Sequence, residues 1–361
     1  MDNRLDEARK NINAIDKEMA ELFVKRMEAS KMVSDYKVAH GLPILDKTRE
    51  MAVIERNSAL VSDEVIREYY VDFLSEVMSC SRRYQYRLQA GMNVAYSGVE
   101  GAFAHIASKK IFPNATLSSF SDFTKAYEAV VKGECNACVL PIENSFAGEV
   151  GQTVDLIHKG ELYVSGIYRH EIRHNLLGVK GAKLGDIKKV FSHPQALMQC
   201  ADFIKENNLI TEESNNTALS AKVVVESGDV SIGAIASIET AALYGLDVIE
   251  KNVNQSNVNT TRFAVLTKAK LIDEKNTHSV LTFTVNHEAG ALAKAINIIG
   301  KHGYNMTALR SRPQKNHAWQ YYFYVEVDGN VYIGGEKMLQ ELSTVCEELK
   351  VVGTFNPNAE I

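Results

Sequence analysis

Along the first forty residues the apolar positions step by threes and fours. Leu5, Ala8, Ile12, Ile15, Met19, Leu22, Ala29 and Val33 fall on one stripe, and Arg26 stands where a core residue belongs. This spacing predicts a helix from Asn3 to about His40, roughly 55 Å long, whose narrow stripe packs on another helix. An unpaired guanidinium in such a seam is costly, so Arg26 requires an anion the helix does not supply, which we read as a ligand. Lys37, eleven residues on, lies only about 20° around the same helix. Arg9 is rotated by roughly 100° from Arg26, so it most simply reaches the same pocket from a second copy of the helix, which implies a dimer. His40-Gly41-Leu42-Pro43 breaks the helix, and Asp46 opens a second one carrying Arg49 and Glu50. A third, about Asp63 to Leu88, holds Ser81 and Gln85 one turn apart.

From Asn93 onward short β-rich runs alternate with helical stretches, predicting an α/β domain. It opens with the strand Val94-Ala95-Tyr96, a glycine loop Ser97–Gly101 and a helix starting near Ala102. That arrangement offers N–H groups to an anion but lacks the dinucleotide and phosphate-loop spacings, so a carboxylate is the expected guest. Three further junctions put polar residues at strand ends: Glu143-Asn144-Ser145, His193-Pro194-Gln195 and Asn259-Thr260-Thr261-Arg262-Phe263. Lys268 to Asn276 reads as a linker. Beyond it the pattern runs strand (Ser279–Val285), helix (Ala289–His302), strand (Thr307–Ser311), strand (Trp319–Val327), helix (Gly335–Leu349) and strand. That order predicts a small α+β, ferredoxin-like domain.

Composition narrows the class. With 361 residues, 45% hydrophobic and 24% charged, the chain can bury two or three cores. A net charge of −5 argues against a nucleic-acid surface. No apolar run approaches the roughly 18 residues of a membrane span, and the charged start Met1-Asp2-Asn3-Arg4 is no signal peptide, so a cytoplasmic protein is expected. Five cysteines suggest free thiols, and Cys135-x-x-Cys138 lacks the second pair or histidines that a zinc site would want; neither metal nor cofactor is expected.

The helical region gathers three arginines, a lysine, carboxylates, a hydroxyl and an amide, a set that can hold a dianion but contains no obvious nucleophile. It suits a reaction that needs conformational restraint and charge stabilisation, such as a pericyclic rearrangement. Arg9-x-x-Ile12-x-x-Ile15-Asp16, Arg26, Lys37, Pro43-x-x-Asp46-x-x-Arg49-Glu50 and Ser81-x-x-x-Gln85 resemble the all-helical chorismate mutase family over the first 90 residues. The resemblance implies that Arg9 of the partner subunit, Arg26 and Arg49 hold the carboxylates of chorismate. Glu50 and Asp46 then address its hydroxyl and neighbouring groups, Ser81 lines the pocket, and Lys37 and Gln85 face the ether oxygen. A surface coiled coil would share the seam, but not a charge inside it.

The segments ending in PIENS, HPQ and TRF, in this order, resemble the prephenate dehydratase family from about Asn93 to Thr267. This implies two α/β lobes, like periplasmic binding proteins, with a cleft between them. Thr261 is then the candidate to position or relay the proton, and Arg262 an anchor for a carboxylate. Glu143, Asn144, Ser145, His193, Gln195 and Thr217 would line the cleft. Gly290-Ala291-Leu292 and Ser311-Arg312-Pro313 resemble an ACT domain, which implies an amino-acid effector, L-phenylalanine, held between paired copies. The family pattern has glutamate ahead of Ser-Arg-Pro; Arg310 here reverses that charge, with weakened or altered effector binding as the expectation.

The resulting expectation is a multidomain chain: an all-α mutase domain (1–90), a two-lobed α/β dehydratase domain (91–270) and an α+β ACT domain (271–361). It would convert chorismate to prephenate and then to phenylpyruvate as a homodimer or homotetramer, with no nucleic-acid or membrane partner. Arogenate as the dehydratase substrate, or a non-catalytic amino-acid sensor, are the alternatives.

Overall fold

Two aspartates set where the N-terminal helices begin. Asp46 accepts the backbone N–H of Arg49 (2.9 Å), and Asp63 accepts those of Val65 and Ile66 (2.9 and 3.0 Å), satisfying donors that a helix start leaves open. The computed structural model describes residues 4–255, 259–314 and 320–361. Its first helices are α1 (Arg4–Ala39), α2 (Lys47–Ser58) and α3 (Glu64–Ala90), close to the predicted spans; Asn3, the predicted start, lies outside the described residues. Gly41 at φ +63° ends the first of them. Two amide–hydroxyl rungs tie α3 to α1, Gln85 to Ser30 (2.9 Å) and Gln89 to Ser34 (3.1 Å). Most of the apolar stripe of α1 finds no cover within the chain: Leu5, Ile12, Ile15, Met19, Leu22 and Val33 are exposed, Leu22 by 63%.

The chain divides into two compact units, residues 1–93 and 94–361. The second unit starts with β1 (Asn93–Ser97), α4 (Phe103–Ile111), β2 (Thr116–Phe120), α5 (Phe123–Val131), β3 (Ala137–Asn144), β4 (Gly148–Glu149), α6 (Gly151–Lys159) and β5 (Tyr163–Glu171). It then crosses into a second lobe of β6 (Asn175–Gly178), β7 (Lys189–Ser192), α7 (Pro194–Gln199), α8 (Ala201–Glu206), β8 (Ile210–Glu213), α9 (Thr217–Ser227), β9 (Ile232–Ala236), α10 (Ile238–Tyr244) and β10 (Asp247–Glu250). It returns as β11 (Thr260–Thr267), which inserts antiparallel between β3 and β5. The second lobe has its own five-stranded sheet, ordered β10-β6-β9-β7-β8.

The remainder follows the predicted order: β12 (His278–Val285), α11 (Ala291–Lys301), β13 (Met306–Pro313), β14 (Tyr321–Asp328), α12 (Glu336–Leu342) and β15 (Cys346–Phe355). Trp319, the expected start of a strand, lies outside the described residues. The last helix is shorter than expected, since Cys346–Leu349 belong to β15. The β-branched Thr344 and Val345 follow Leu342, and Val285, Phe283 and Leu281 pair with the strand instead. The expected linker Lys268–Asn276 joins regions that share one sheet, ordered β13-β14-β12-β15-β5-β11-β3-β1-β2. The join is the parallel pairing of Gly353 with Val164; a Cβ at Gly353 would run into the Val164 carbonyl, so glycine permits the approach. One core spans the join, with Leu140, Ile142 and Ile157 packed alongside Tyr322, Tyr324 and Phe355.

Charged residues bind the same regions. Arg262 bonds Glu143 (3.0 Å) and Glu326 (2.8 Å), Arg310 meets Glu143 (2.8 Å) and Glu149 (3.6 Å), and Arg312 meets Glu149 (2.9 Å) and Asp155 (3.0 Å). Arg310 therefore faces inward, half-enclosed by carboxylates. Burial raises the pKa of Glu143, but its bonds to Arg262 and Arg310 outweigh this and hold it below the ordinary carboxylate range. A depressed carboxylate contributes stability above its unfolded pKa and loses it as pH falls through the folded value. Arg310→Ala is thus expected to cost about 3 kcal/mol in chemical denaturation at pH 7, because it leaves buried carboxylates short of a cation. The deficit should shrink below about pH 4, where carboxylates begin to protonate; an unchanged midpoint at pH 7 would rule the network out as a stabilising element.

Candidate functional site

The N-terminal helices enclose a cavity of about 290 Å³. Arg26, Lys37, Asp46, Arg49, Glu50, Ser81 and Gln85, seven of the eight residues expected at a mutase pocket, line it. Arg9 does not. It is largely exposed, pairs with Asp6 at 3.7 Å, and lies about 25 Å along α1 from Arg26.

Arg26 touches the Val77 carbonyl (3.3 Å) and the Ser81 hydroxyl; among the described residues no carboxylate pairs with it. Burial lowers its pKa from the ordinary value, offset only in part by Cys80, although a guanidinium stays charged. The Lys37 ammonium donates to the Ile44 carbonyl (2.5 Å). Asp46 caps α2, which ties it to the backbone of Arg49. Glu50 is bound by Arg82, a lining residue that the sequence reading missed although it sits three residues before Gln85 on the same helix face. The lining thus carries four cations against two carboxylates. Gln85 is buried and donates through Nε2 to Ser30, while its Oε1 has no partner among the described residues. A half-turn of the amide would let the Ser30 hydroxyl donate to Oε1 and direct Nε2 elsewhere.

The second cavity, about 390 Å³, lies between the two lobes of residues 94–361. Strand alternation decides which predicted residues reach it. Thr261 pairs in register with Asn144, so both side chains share a face, and the Asn144 amide donates to the Thr261 hydroxyl at 3.0 Å. Arg262 pairs with Glu143 on the opposite face, where they form the ion pair described above. The structure accordingly does not bring Arg262 or Glu143 to the cavity. Ser145 is exposed, accepts the N–H of Thr260 (3.0 Å), and does not line it either. His193 does, as the cap of α7, and so do Gln195, which reaches Asn144 at 3.4 Å, and Thr217 at the start of α9.

Among the lining residues, Phe103, His174 and Gln199 went unread in the sequence, and Asn259, which bonds Asn144 and Gln199, was given no role there. Gln199 lies one turn beyond Gln195 and Asn259 two residues before Thr261, signals that helical spacing and the motif's edge could have supplied. His174 had none, being a lone histidine between strands. Among the described lining residues none is Arg, Lys, Asp or Glu. Burial lowers the pKa of both His174 and His193, so both rings are neutral at pH 7. In place of cations, the start of α4 faces the cavity through Ala102, Phe103 and Ala104 with no side-chain cap on its N–H groups.

Near α11, Ala291 and Leu292 line a small cavity with Tyr321 and Phe323, and Gly290 at φ +83° opens the helix with free space around it. Ser311 is exposed and Arg312 is bound by Glu149 and Asp155, so within one chain neither reaches that cavity. Cys135 and Cys138 are buried, which pushes the Cys135 thiol up to about 11. No helix among the described residues is long and apolar enough to cross a membrane.

Known proteins share this organisation. A family model for prephenate dehydratase matches residues 94–271, and one for type II chorismate mutase matches residues 8–86. A bifunctional chorismate mutase/prephenate dehydratase of Aquifex aeolicus is 30% identical over 359 residues, 97% of each chain. Arogenate dehydratase 2 of Petunia hybrida is 31% identical over 75% of this chain and 73% of its own. The structure of a prephenate dehydratase from Arthrobacter aurescens in complex with L-Phe superposes with a TM-score of 0.69 at 25% identity, covering 73% of this chain and 90% of that one.

Proposed function

On the premise that the chain belongs to the bifunctional chorismate mutase/prephenate dehydratase family, we propose a division of labour between its two larger cavities. The protein is an enzyme of phenylalanine biosynthesis that turns chorismate into prephenate and prephenate into phenylpyruvate. The helical cavity takes the first step and the inter-lobe cavity the second.

The observation that carries this reading is the contrast in charge. Chorismate is a dianion, and among the described residues the helical cavity offers four cations against two carboxylates, with no carboxylate paired to Arg26. No proton is gained or lost as the ether C–O bond breaks and the new C–C bond forms. Lys37 and Gln85, aimed at the ether oxygen, bind the charge that develops there and so stabilise the transition state over the substrate. Arg9 completes the site from a second copy docked along the exposed stripe of α1, which makes the working unit a homodimer or a larger assembly of homodimers. Among the described lining residues there is no histidine or cysteine, so mutase turnover is expected to be nearly flat from about pH 6 to about pH 9. Gln85→Glu should impose an acid-side optimum, because the carboxyl donates only when protonated; a steep wild-type pH profile would remove Gln85 and Lys37 from this role.

In the second step the ring carboxylate leaves as carbon dioxide, its electron pair makes the ring aromatic, and the ring hydroxyl leaves as water after taking one proton. Asn144 is oriented by two backbone N–H groups, those of Phe146 (3.0 Å) and Ala147 (2.9 Å), on its Oδ1. Its Nδ2 must then donate to Thr261, whose own hydroxyl hydrogen is left to point into the cavity. Thr261 hands that proton to the departing hydroxyl and is reprotonated from solvent. The N-terminus of α4 and the cavity amides hold the acid groups, the role first expected of Arg262. Prephenate suits this cavity better than arogenate, since arogenate adds an ammonium and no carboxylate is among the described lining residues. Comparing turnover of the two acids tests the choice.

L-Phenylalanine is the proposed effector, bound near Gly290, Ala291 and Leu292 with Ser311 supplied by a second copy. The L-Phe complex of the related enzyme supports this.

A further inference from the structure

We propose that His174 is a positioning residue of the dehydratase, acting through Gln199. The inference rests on the inter-lobe cavity being the prephenate site. His174 is 2% exposed and its Nε2 lies 2.8 Å from Gln199 Oε1. The direction of that bond is fixed from a distance. Two backbone N–H groups hold Asn144 Oδ1, so Asn144 Nδ2 donates to Asn259 Oδ1 (2.9 Å) as well as to Thr261. Asn259 must therefore donate from Nδ2 to Gln199 Oε1 (2.9 Å). Gln199 Oε1 is an acceptor in this chain, and His174 can only approach it as the Nε2–H donor.

Three further contacts hold the ring and its backbone. Phe103 lies edge-on to the ring at 5.7 Å, the backbone N–H donates to Asn254 Oδ1 (3.1 Å), and the carbonyl accepts from Val253 (2.8 Å). Nδ1 is buried without a partner among the described residues, as suits the bare lone pair of a neutral ring. With both lone pairs of Oε1 engaged, the Gln199 amide cannot turn. Its Nε2, which has no protein partner among the described residues, presents two donors to the cavity it lines. Those donors suit an acid or keto oxygen of the substrate, and an amide held in place loses no freedom when the substrate arrives.

The test is a double-mutant cycle on the full chain with prephenate as substrate. His174→Phe keeps an aromatic ring against Phe103 but removes the donor; it is expected to lower kcat about 10- to 100-fold with KM changed less than about threefold. His174→Gln retains a donor near the Nε2 position and should recover most of kcat. In a Gln199→Leu background, His174→Phe should cost almost nothing further, because the group it positions is already gone. Wild-type kcat in His174→Phe overturns the proposal. Equal loss in the Phe and Gln variants with a matching fall in Tm, or full additivity with Gln199→Leu, also overturns it and assigns His174 to packing. Failure of the wild type itself to turn over prephenate would instead reject the site assignment beneath it.

Discussion

Thr261→Ala is expected to lower turnover of prephenate by about a thousandfold while leaving consumption of chorismate unchanged, so that prephenate accumulates when chorismate is supplied. The size follows from losing both the proton relay and the group that orients it. Asn144 Nδ2 donates to Thr261 and Asn259 at 3.0 and 2.9 Å, and without the hydroxyl one arm of that fork is left only the longer contact to the Thr260 carbonyl at 3.4 Å. Thr261→Ser retains the hydroxyl but not the β-branch that restricts its rotation, and should keep a substantial fraction of activity. Following both acids by absorbance separates the steps. Near-normal phenylpyruvate formation by Thr261→Ala would remove Thr261 from the proton path.

Arg26→Ala should remove 100- to 1000-fold, roughly 3–4 kcal/mol, from kcat/KM for chorismate. Among the described residues Arg26 has only neutral partners, a carbonyl and a hydroxyl, so its main electrostatic role is toward a bound anion. Removing it relieves a buried charge in the empty protein, so the variant should fold at least as well as the wild type. Poor folding therefore cannot explain the loss. Dehydratase turnover of added prephenate should be untouched, because that cavity lies in a separate compact unit. Mutase activity within about fivefold of wild type would mean that Arg26 is a structural hydrogen-bond donor to Ser81 and Val77 alone.

The helical site was legible because helices are local. Residues 3, 4, 7 or 11 apart project predictably, so spacing alone puts Arg26 with Lys37, Asp46 with Arg49 and Glu50, and Ser81 with Gln85 on common faces, and all seven line one cavity. Arg82 obeyed the same rule and was overlooked. In the α/β unit, motifs at strand ends named Asn144, His193, Gln195 and Thr261, which line one cavity together with Thr217, yet Arg262 and Glu143 lie on the far face of the same strands. A period of two assigns neighbours to opposite sides but does not say which side is the cleft.

By itself the sequence determined the three N-terminal helices and their caps, the order of strands and helices from Ser279 to the C-terminus, and the residue types gathered at the two cavities, because these depend on spacing along the chain. Only the tertiary structure decided that Arg262, Arg310 and Arg312 serve an internal ion network, that the C-terminal strands extend the lobe's own sheet through Gly353, and that His174, Gln199 and Asn259 stand in line behind Thr261. Those facts depend on pairing between residues tens to more than a hundred positions apart, where register and the direction of each hydrogen bond are fixed by partners that no local pattern names.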